Sequence, residues 1–246
     1  WETAAADTVF AQKTLWHIDI ESVYAGNYTI MSRVVDTQGT VEGSGDQISI
    51  SITSDQPTTI GTLDWDETWS GTIEIQGDIT VPEDVTLTVL PGTIVRFPAN
   101  FDAAYTGSDI NLTEFHVQGT LFAQGTQADP IVFTSDASSP AKGDWSGVLG
   151  TGRIFMEHAT VEYAGLGVQL NAYQETDTLQ IIDSTIRHNS GTGILMYNYN
   201  GVPVDVLMDG NVITENDGHG IFCRSYDANS VLDALITGNI ITNNGD

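Results

Sequence analysis

Gly191-Thr192-Gly193-Ile194 is the middle copy of a short frame, with Gly165-Leu166-Gly167-Val168 before it and Gly218-His219-Gly220-Ile221 after it. The copies recur about every 26 residues, inside the range of stacked structural repeats. Each brings the same neighbours. Upstream lies a polar residue with a β-branched one, in Thr160-Val161, Thr185-Ile186, Asn211-Val212 and Asn239-Ile240. An asparagine then leads into the turn, at Asn189, Asn216 and Asn244. Residues of one type thus stand above one another, as they do when each turn of a coil is a rung that buries its neighbours' aliphatic face. The repeat predicts an all-β parallel β-helix.

The rungs assign parts to residues. Val161, Ile186, Val212 and Ile240 are expected to stack inward as one aliphatic column, and Val168, Ile194 and Ile221 as another. Burial of each side chain stabilises by roughly 1.5–3 kcal/mol. Asn189, Asn216 and Asn244 are expected to take the left-handed conformation at the turn and to pass hydrogen bonds to the next rung. Cys223, the one cysteine, alternates with Phe222 and points into the coil as a small apolar residue. Longer insertions fall at Phe101 to Leu112, Ser135 to Asp144, Asn171 to Thr178 and Asn198 to Pro203. In solenoids such insertions collect on a face that often binds something.

Composition excludes several classes. Seven Lys and Arg stand against 33 Asp and Glu, a formal net charge of −26 with 16% charged residues. Phosphate backbones are held mainly by Lys and Arg, so nucleic acid and anionic membranes are not expected partners. Cations are. No run of about 18 apolar residues marks a membrane span in this segment, and no disulfide frame exists. Glycine turns stop short after Asn243-Asn244-Gly245-Asp246, and Trp1 opens the chain, so the coil is expected to continue past residue 246 as part of a longer secreted or surface protein.

Residues 1–54 differ from the rest. Thr14 to Ile20, Tyr28 to Val35 and Gln47 to Ile52 alternate with period two, as half-buried strands do. Gly26-Asn27-Tyr28-Thr29-Ile30 followed by Arg33-Val34-Val35-Asp36-Thr37-Gln38-Gly39 resembles the last strands of immunoglobulin-like modules of bacterial and archaeal surface proteins. The resemblance implies a partial β-sandwich or a cap there. Residues 55–70 read as an acidic connector, and residues 71–246 as the β-helix. Within the latter, Leu87-Thr88-Val89-Leu90-Pro91-Gly92-Thr93, Val117-Gln118-Gly119-Thr120-Leu121 and Gly143-Asp144-Trp145-Ser146-Gly147-Val148 resemble the opening coils of right-handed parallel β-helix repeat proteins on bacterial and archaeal surfaces, a resemblance that implies a right-handed solenoid. That superfamily includes polysaccharide lyases, hydrolases, epimerases, adhesins and surface-layer components, so fold alone does not fix function.

Candidate sites follow from chemistry. Gly218-His219-Gly220 resembles a motif of polygalacturonases, but their Asn-Thr-Asp, Asp-Asp and Arg-Ile-Lys companions are absent, and Leu166 and Thr192 fill the same position in other rungs. No catalytic residue is assigned. Arg187-His188 beside Glu162-Tyr163 is the best basic cluster, expected to be a polar pair at a rung edge. Calcium takes six to eight oxygen ligands, for which Asp64, Asp66, Glu67, Asp102, Asp109 and Asp36 are the candidates. Asn27-Tyr28-Thr29 and Asn111-Leu112-Thr113 are glycosylation sequons. Trp16, Trp65, Trp69 and Trp145 are expected to pack rather than to form a sugar platform. Taken together these readings point to a cation-stabilised structural component of an extracellular or cell-surface layer, filament or adhesin. Its partners would be copies of itself, other surface proteins and polysaccharide. The alternative is a carbohydrate-active or carbohydrate-binding β-helix.

Overall fold

The computed structural model describes residues 56–226 and 234–245 with their side chains, and the backbone of six strands within residues 1–55. The chain divides into two compact units, Trp1–Gln56 and Pro57–Asp246. In the first, Ala5–Phe10 pairs antiparallel with Lys13–His17, Gly26–Met31 with Gln47–Ile52, and Val34–Val35 with Val41–Glu42. Antiparallel pairing agrees with the alternation read from the sequence.

The second unit is a parallel β-helix. Among the described residues its 21 strands form three seven-stranded sheets, and every pairing within them is parallel. We call the sheets A, B and C in the order the chain visits them, and the rungs coils 1 to 7. Coil 1 comprises Gly61–Thr62, Glu67–Trp69 and Thr72–Glu74. Two of these strands lie in the stretch expected to be a connector, residues 55–70. Exposed Thr62, Asp64, Asp66 and Thr68 are interleaved with Leu63, Glu67 and Trp69, which are buried, so the coil begins earlier than composition suggested. Coil 5 comprises Val168–Ala172, Thr178–Ile182 and Thr185–Arg187; coil 6, Ile194–Asn198, Asp205–Asp209 and Val212–Thr214; coil 7, Ile221–Ser225, Ala234–Thr237 and Ile240–Thr242.

The core is a set of columns. In sheet A, Val168, Ile194 and Ile221 stack as expected, and Leu170, Met196 and Cys223 form the next inward column, which places Cys223 partly buried against the core. In sheet C the inward column is Val161, Ile186, Ile213 and Ile241. This corrects the expected column by one residue: Val212 pairs with Thr185, Ile240 pairs with Val212, and both face outward. Since strand side chains alternate faces, a one-residue slip moves the whole set. Large aromatics fill the earlier coils. Trp145 is fully buried, stacks on Phe97 at 3.9 Å and donates its indole N–H to the Glu162 carbonyl at 3.0 Å, while Trp69 stacks on Phe115 at 6.0 Å. Packing is thus the role of both tryptophans.

Corners between sheets are locked by asparagine ladders. Asn189 Nδ2 donates to Asn216 Oδ1 at 2.8 Å, and Asn216 Nδ2 to Asn244 Oδ1 at 2.8 Å. The same oxygens accept the backbone N–H of the asparagine one coil earlier, at 3.2 and 3.1 Å. The left-handed residues are not these asparagines, as expected from the sequence, but the ones just before them: His188 (φ 54°), Glu215 (φ 58°) and Asn243 (φ 56°). The turn is made one residue earlier so that the amide side chain can point inward to bond the next coil. A second ladder, Ser184, Asn211 and Asn239, runs along the B–C corner, with Asn211 Nδ2 donating to Asn239 Oδ1 at 2.9 Å.

Candidate functional site

Insertions gather around one sheet. Residues 101–112 and 135–144 lie at the C–A corner, and residues 171–178 and 198–203 at the A–B corner, so sheet A is bordered on both edges. The loops are built from buried polar clasps. Asp102 accepts the backbone N–H groups of Asp78, Ala104 and Thr106 at 2.9–3.1 Å. Asp177 accepts those of Tyr173 and Gln174 at 2.7 and 2.8 Å. Burial pushes the Asp177 carboxyl above the ordinary carboxylate value, against the two N–H bonds that lower it. Asn198, fully buried, accepts the Gly201 N–H and donates to the Val202 carbonyl.

Between the loops, the outward side of sheet A changes along the axis. On coils 5, 6 and 7 it carries Gln169, Leu195 and Phe222 in one row, and Asn171, Tyr197 and Arg224 in the next. A third row lies just past the strands. There the Tyr199 N–H bonds the Ala172 carbonyl at 3.0 Å and the Tyr226 N–H bonds that of Asn198 at 2.9 Å, which extends the sheet register by one residue. Tyr173, Tyr199 and Tyr226 therefore stack face to face. Ring centroids are 5.0 Å apart at both steps, with planes within 8°. Tyr197 leans against Tyr199 and Tyr226 at 5.8 and 5.6 Å, and the Arg224 guanidinium lies 4.5 Å from the Tyr226 ring centre. Burial, and after it the charge of the neighbouring phenols Tyr173, Tyr226 and Tyr197, pushes the Tyr199 phenol above its usual value. The three stacked tyrosines stay 37–48% exposed.

Such a surface offers aromatic edges, a row of phenol hydroxyls, two side-chain amides and a guanidinium. It combines apolar area with polar tips, which suits a ligand with both apolar faces and hydroxyls. Sequence reading weighed the tryptophans as a platform and passed over these tyrosines. The signal was present, for Tyr173, Tyr199 and Tyr226 each follow the last inward residue of the strand, at Ala172, Asn198 and Ser225, with the repeat's own spacing.

The basic cluster singled out in the sequence does come together. Arg187 Nε lies 2.8 Å from Glu162 Oε2, His188 Nδ1 2.9 Å from Glu215 Oε2, and the His188 ring stacks on Tyr163 at 5.6 Å. These pairs tie coil 4, which comprises Gly147–Gly150, Arg153–Glu157 and Ala159–Glu162, to coils 5 and 6 at the edge of sheet C, as expected. His219 stacks on Phe222 at 5.2 Å.

The carboxylates considered for cations are dispersed. Asp64 is exposed, Asp66 accepts the Thr86 N–H at 2.7 Å, and Glu67, buried, holds Thr58 and the Trp69 indole N–H. Asp109 caps Asn111, while Asp102 is the clasp already described. Among the described residues no group of three or more His, Cys, Asp or Glu is placed to hold a metal ion. Asp36 lies outside the described residues, as does Trp16's side chain; of Asn27 only the strand backbone is described. Asn111 is exposed, and the hydroxyl of Thr113 in its sequon is buried against the Phe101 carbonyl at 2.8 Å.

Two family models match the chain. One, described as a pectate-lyase-like beta helix domain, matches residues 61–179; the other, a right-handed beta helix region, matches residues 149–246. No curated protein and no solved structure matches it. The three parallel sheets give the described part of the second unit a parallel β-helix fold, and the two overlapping matches support a parallel β-helix family.

Proposed function

We propose that the protein recognises carbohydrate on the outward face of sheet A across coils 5 to 7, as a carbohydrate-binding or carbohydrate-active β-helix. One observation carries this reading: Tyr173, Tyr197, Tyr199 and Tyr226, four of the chain's eight tyrosines, share one exposed face on three successive coils. Monomeric proteins keep contiguous apolar surface small unless it meets a partner. The pectate-lyase-like match supports the same ligand class. The purely architectural role in a surface layer or adhesin moves behind it, because that role does not require an aromatic face. An extracellular or cell-surface location accompanies the proposal.

Retention in native gels cast with neutral glucans, mannans or uronate polymers tests the binding. Wild-type protein should be slowed by at least one polymer class. Tyr199→Ala should weaken that interaction by about 2 kcal/mol, the size of an interface hot spot. If no polymer retards the wild type, or the variant is retarded equally, the reading fails.

A further inference from the structure

The tyrosine row also sets phenols where oxidation joins them. A tyrosine that loses one electron and its hydroxyl proton becomes a phenoxyl radical, with unpaired spin on the ring carbons beside the oxygen. Two such radicals couple through those carbons. For tyrosines scattered on a surface, the second radical must arrive by collision. Here it waits one coil away. Tyr199 has Tyr173 on one side and Tyr226 on the other, both at 5.0 Å, and Tyr197 lies 5.6 Å from Tyr226 with its ring tilted by 42°. The tilt matters because the joined rings of the product are twisted rather than parallel. Exposure of 37–48% leaves the stacked rings open to an oxidant. The register of sheet A fixes the neighbours, since the Tyr199 and Tyr226 N–H groups are bonded to the coil before.

We propose that coils 5 to 7 form an oxidative cross-linking site, in which Tyr199 is joined through a ring carbon to Tyr173 or Tyr226, or Tyr197 to Tyr226, by a peroxidase-class oxidant using hydrogen peroxide. Each phenol gives up one electron and one proton. The two radicals form one Cε–Cε bond, and the hydrogen displaced at each joined carbon moves to that ring's own oxygen, which restores both phenols. Hydrogen peroxide takes the two electrons and two protons and leaves as two waters, so the product is two hydrogen atoms lighter than the chain. In a solenoid each coil is held by its neighbours alone. A bond between adjacent coils therefore staples the rod against opening at that point. This inference stands independently of carbohydrate binding.

Tyr105 and Tyr163 serve as internal controls. Tyr105 is 66% exposed against Phe101, and Tyr163 stacks on His188; neither meets another tyrosine ring among the described residues. The test treats the dilute full chain with a peroxidase and hydrogen peroxide, and reads dityrosine fluorescence and the masses of cross-linked peptides. Expected are intramolecular products joining Tyr199 to Tyr173 or Tyr226, or Tyr197 to Tyr226, formed in a yield independent of protein concentration. Tyr199→Phe should lose the link to Tyr173. Tyr197→Phe with Tyr199→Phe should lose all intramolecular product, while phenylalanine preserves the ring stack. Oxidation should raise the thermal midpoint of the wild type and leave that of the double variant unchanged. Peptide mapping of the wild type decides the question even where a variant folds poorly. Products that are wholly intermolecular, or that involve Tyr105 and Tyr163 as often as the row, or that persist in the double variant, overturn the proposal.

Discussion

At the scale of the residue, single buried polar groups decide whether the coil closes. Asn216 is 1% exposed; its oxygen accepts from the Asn189 side chain, and its amide donates to the Ile186 carbonyl at 3.1 Å. Asn216→Ala strands those partners away from water, at about 1–3 kcal/mol for each unsatisfied group. Chemical denaturation should show that loss. Asn200→Ala, at an exposed position, should shift stability by no more than about 0.5 kcal/mol. Asp177 behaves differently because its folded pKa is raised above the usual 3.8, first by burial and further by the charge of Glu83. The folded chain then holds that proton more tightly than the unfolded chain. The contribution to stability is complete below the unfolded value and is lost as pH rises through the raised folded value. Asp177→Asn keeps an oxygen for the Tyr173 and Gln174 N–H groups without the buried charge. Its stability relative to wild type should therefore grow as pH climbs through that window and then level off, a trend that denaturation at successive pH values measures.

At the scale of the element, the glycine frame that announces the repeat exists for close approach between coils. A Cβ on Gly193 would lie 2.8 Å from the Gly220 carbonyl oxygen and 2.9 Å from Asn216 Nδ2, atoms of the next coil. Neither can retreat without breaking the ladder. Gly193→Ala should cost about 1–3 kcal/mol as overpacking, whereas Gly165→Ala, with its nearest atom at 3.1 Å, should cost less. Thermal melts of the two variants side by side provide the check. The strands themselves were legible from alternation, but their facing was not always so. In Asn211-Val212-Ile213-Thr214 both central residues are apolar, and nothing in the string says which one points inward. Pairing with Thr185-Ile186-Arg187 settles it, because Ile186 already faces the core.

At the scale of the whole molecule, charge dominates. A net −26 on 246 residues repels itself over roughly 8–10 Å at physiological ionic strength. Sodium chloride should therefore raise the thermal midpoint. Calcium at matched ionic strength separates this general screening from specific binding: a ligand of the folded state adds RT ln(1 + [L]/Kd), and an extra rise beyond sodium would support the cation partner expected from composition. An equal rise with both salts would count against it.

By itself the sequence determined the solenoid, its period and the Asn189, Asn216 and Asn244 ladder, because a repeat writes one rung's chemistry again in the next and neighbours of like kind must stack. It also contained the tyrosine spacing that marks the candidate face. Only the tertiary structure decided that residues 61–69 already belong to the coil, that Ile213 rather than Val212 faces inward, and that the insertions border sheet A. It alone showed that carboxylates grouped in sequence, such as Asp66 and Glu67, hold separate partners. The physical reason is that burial and facing depend on which strand lies alongside, a relation between residues one coil apart, while composition and local spacing describe only residues adjacent along the chain.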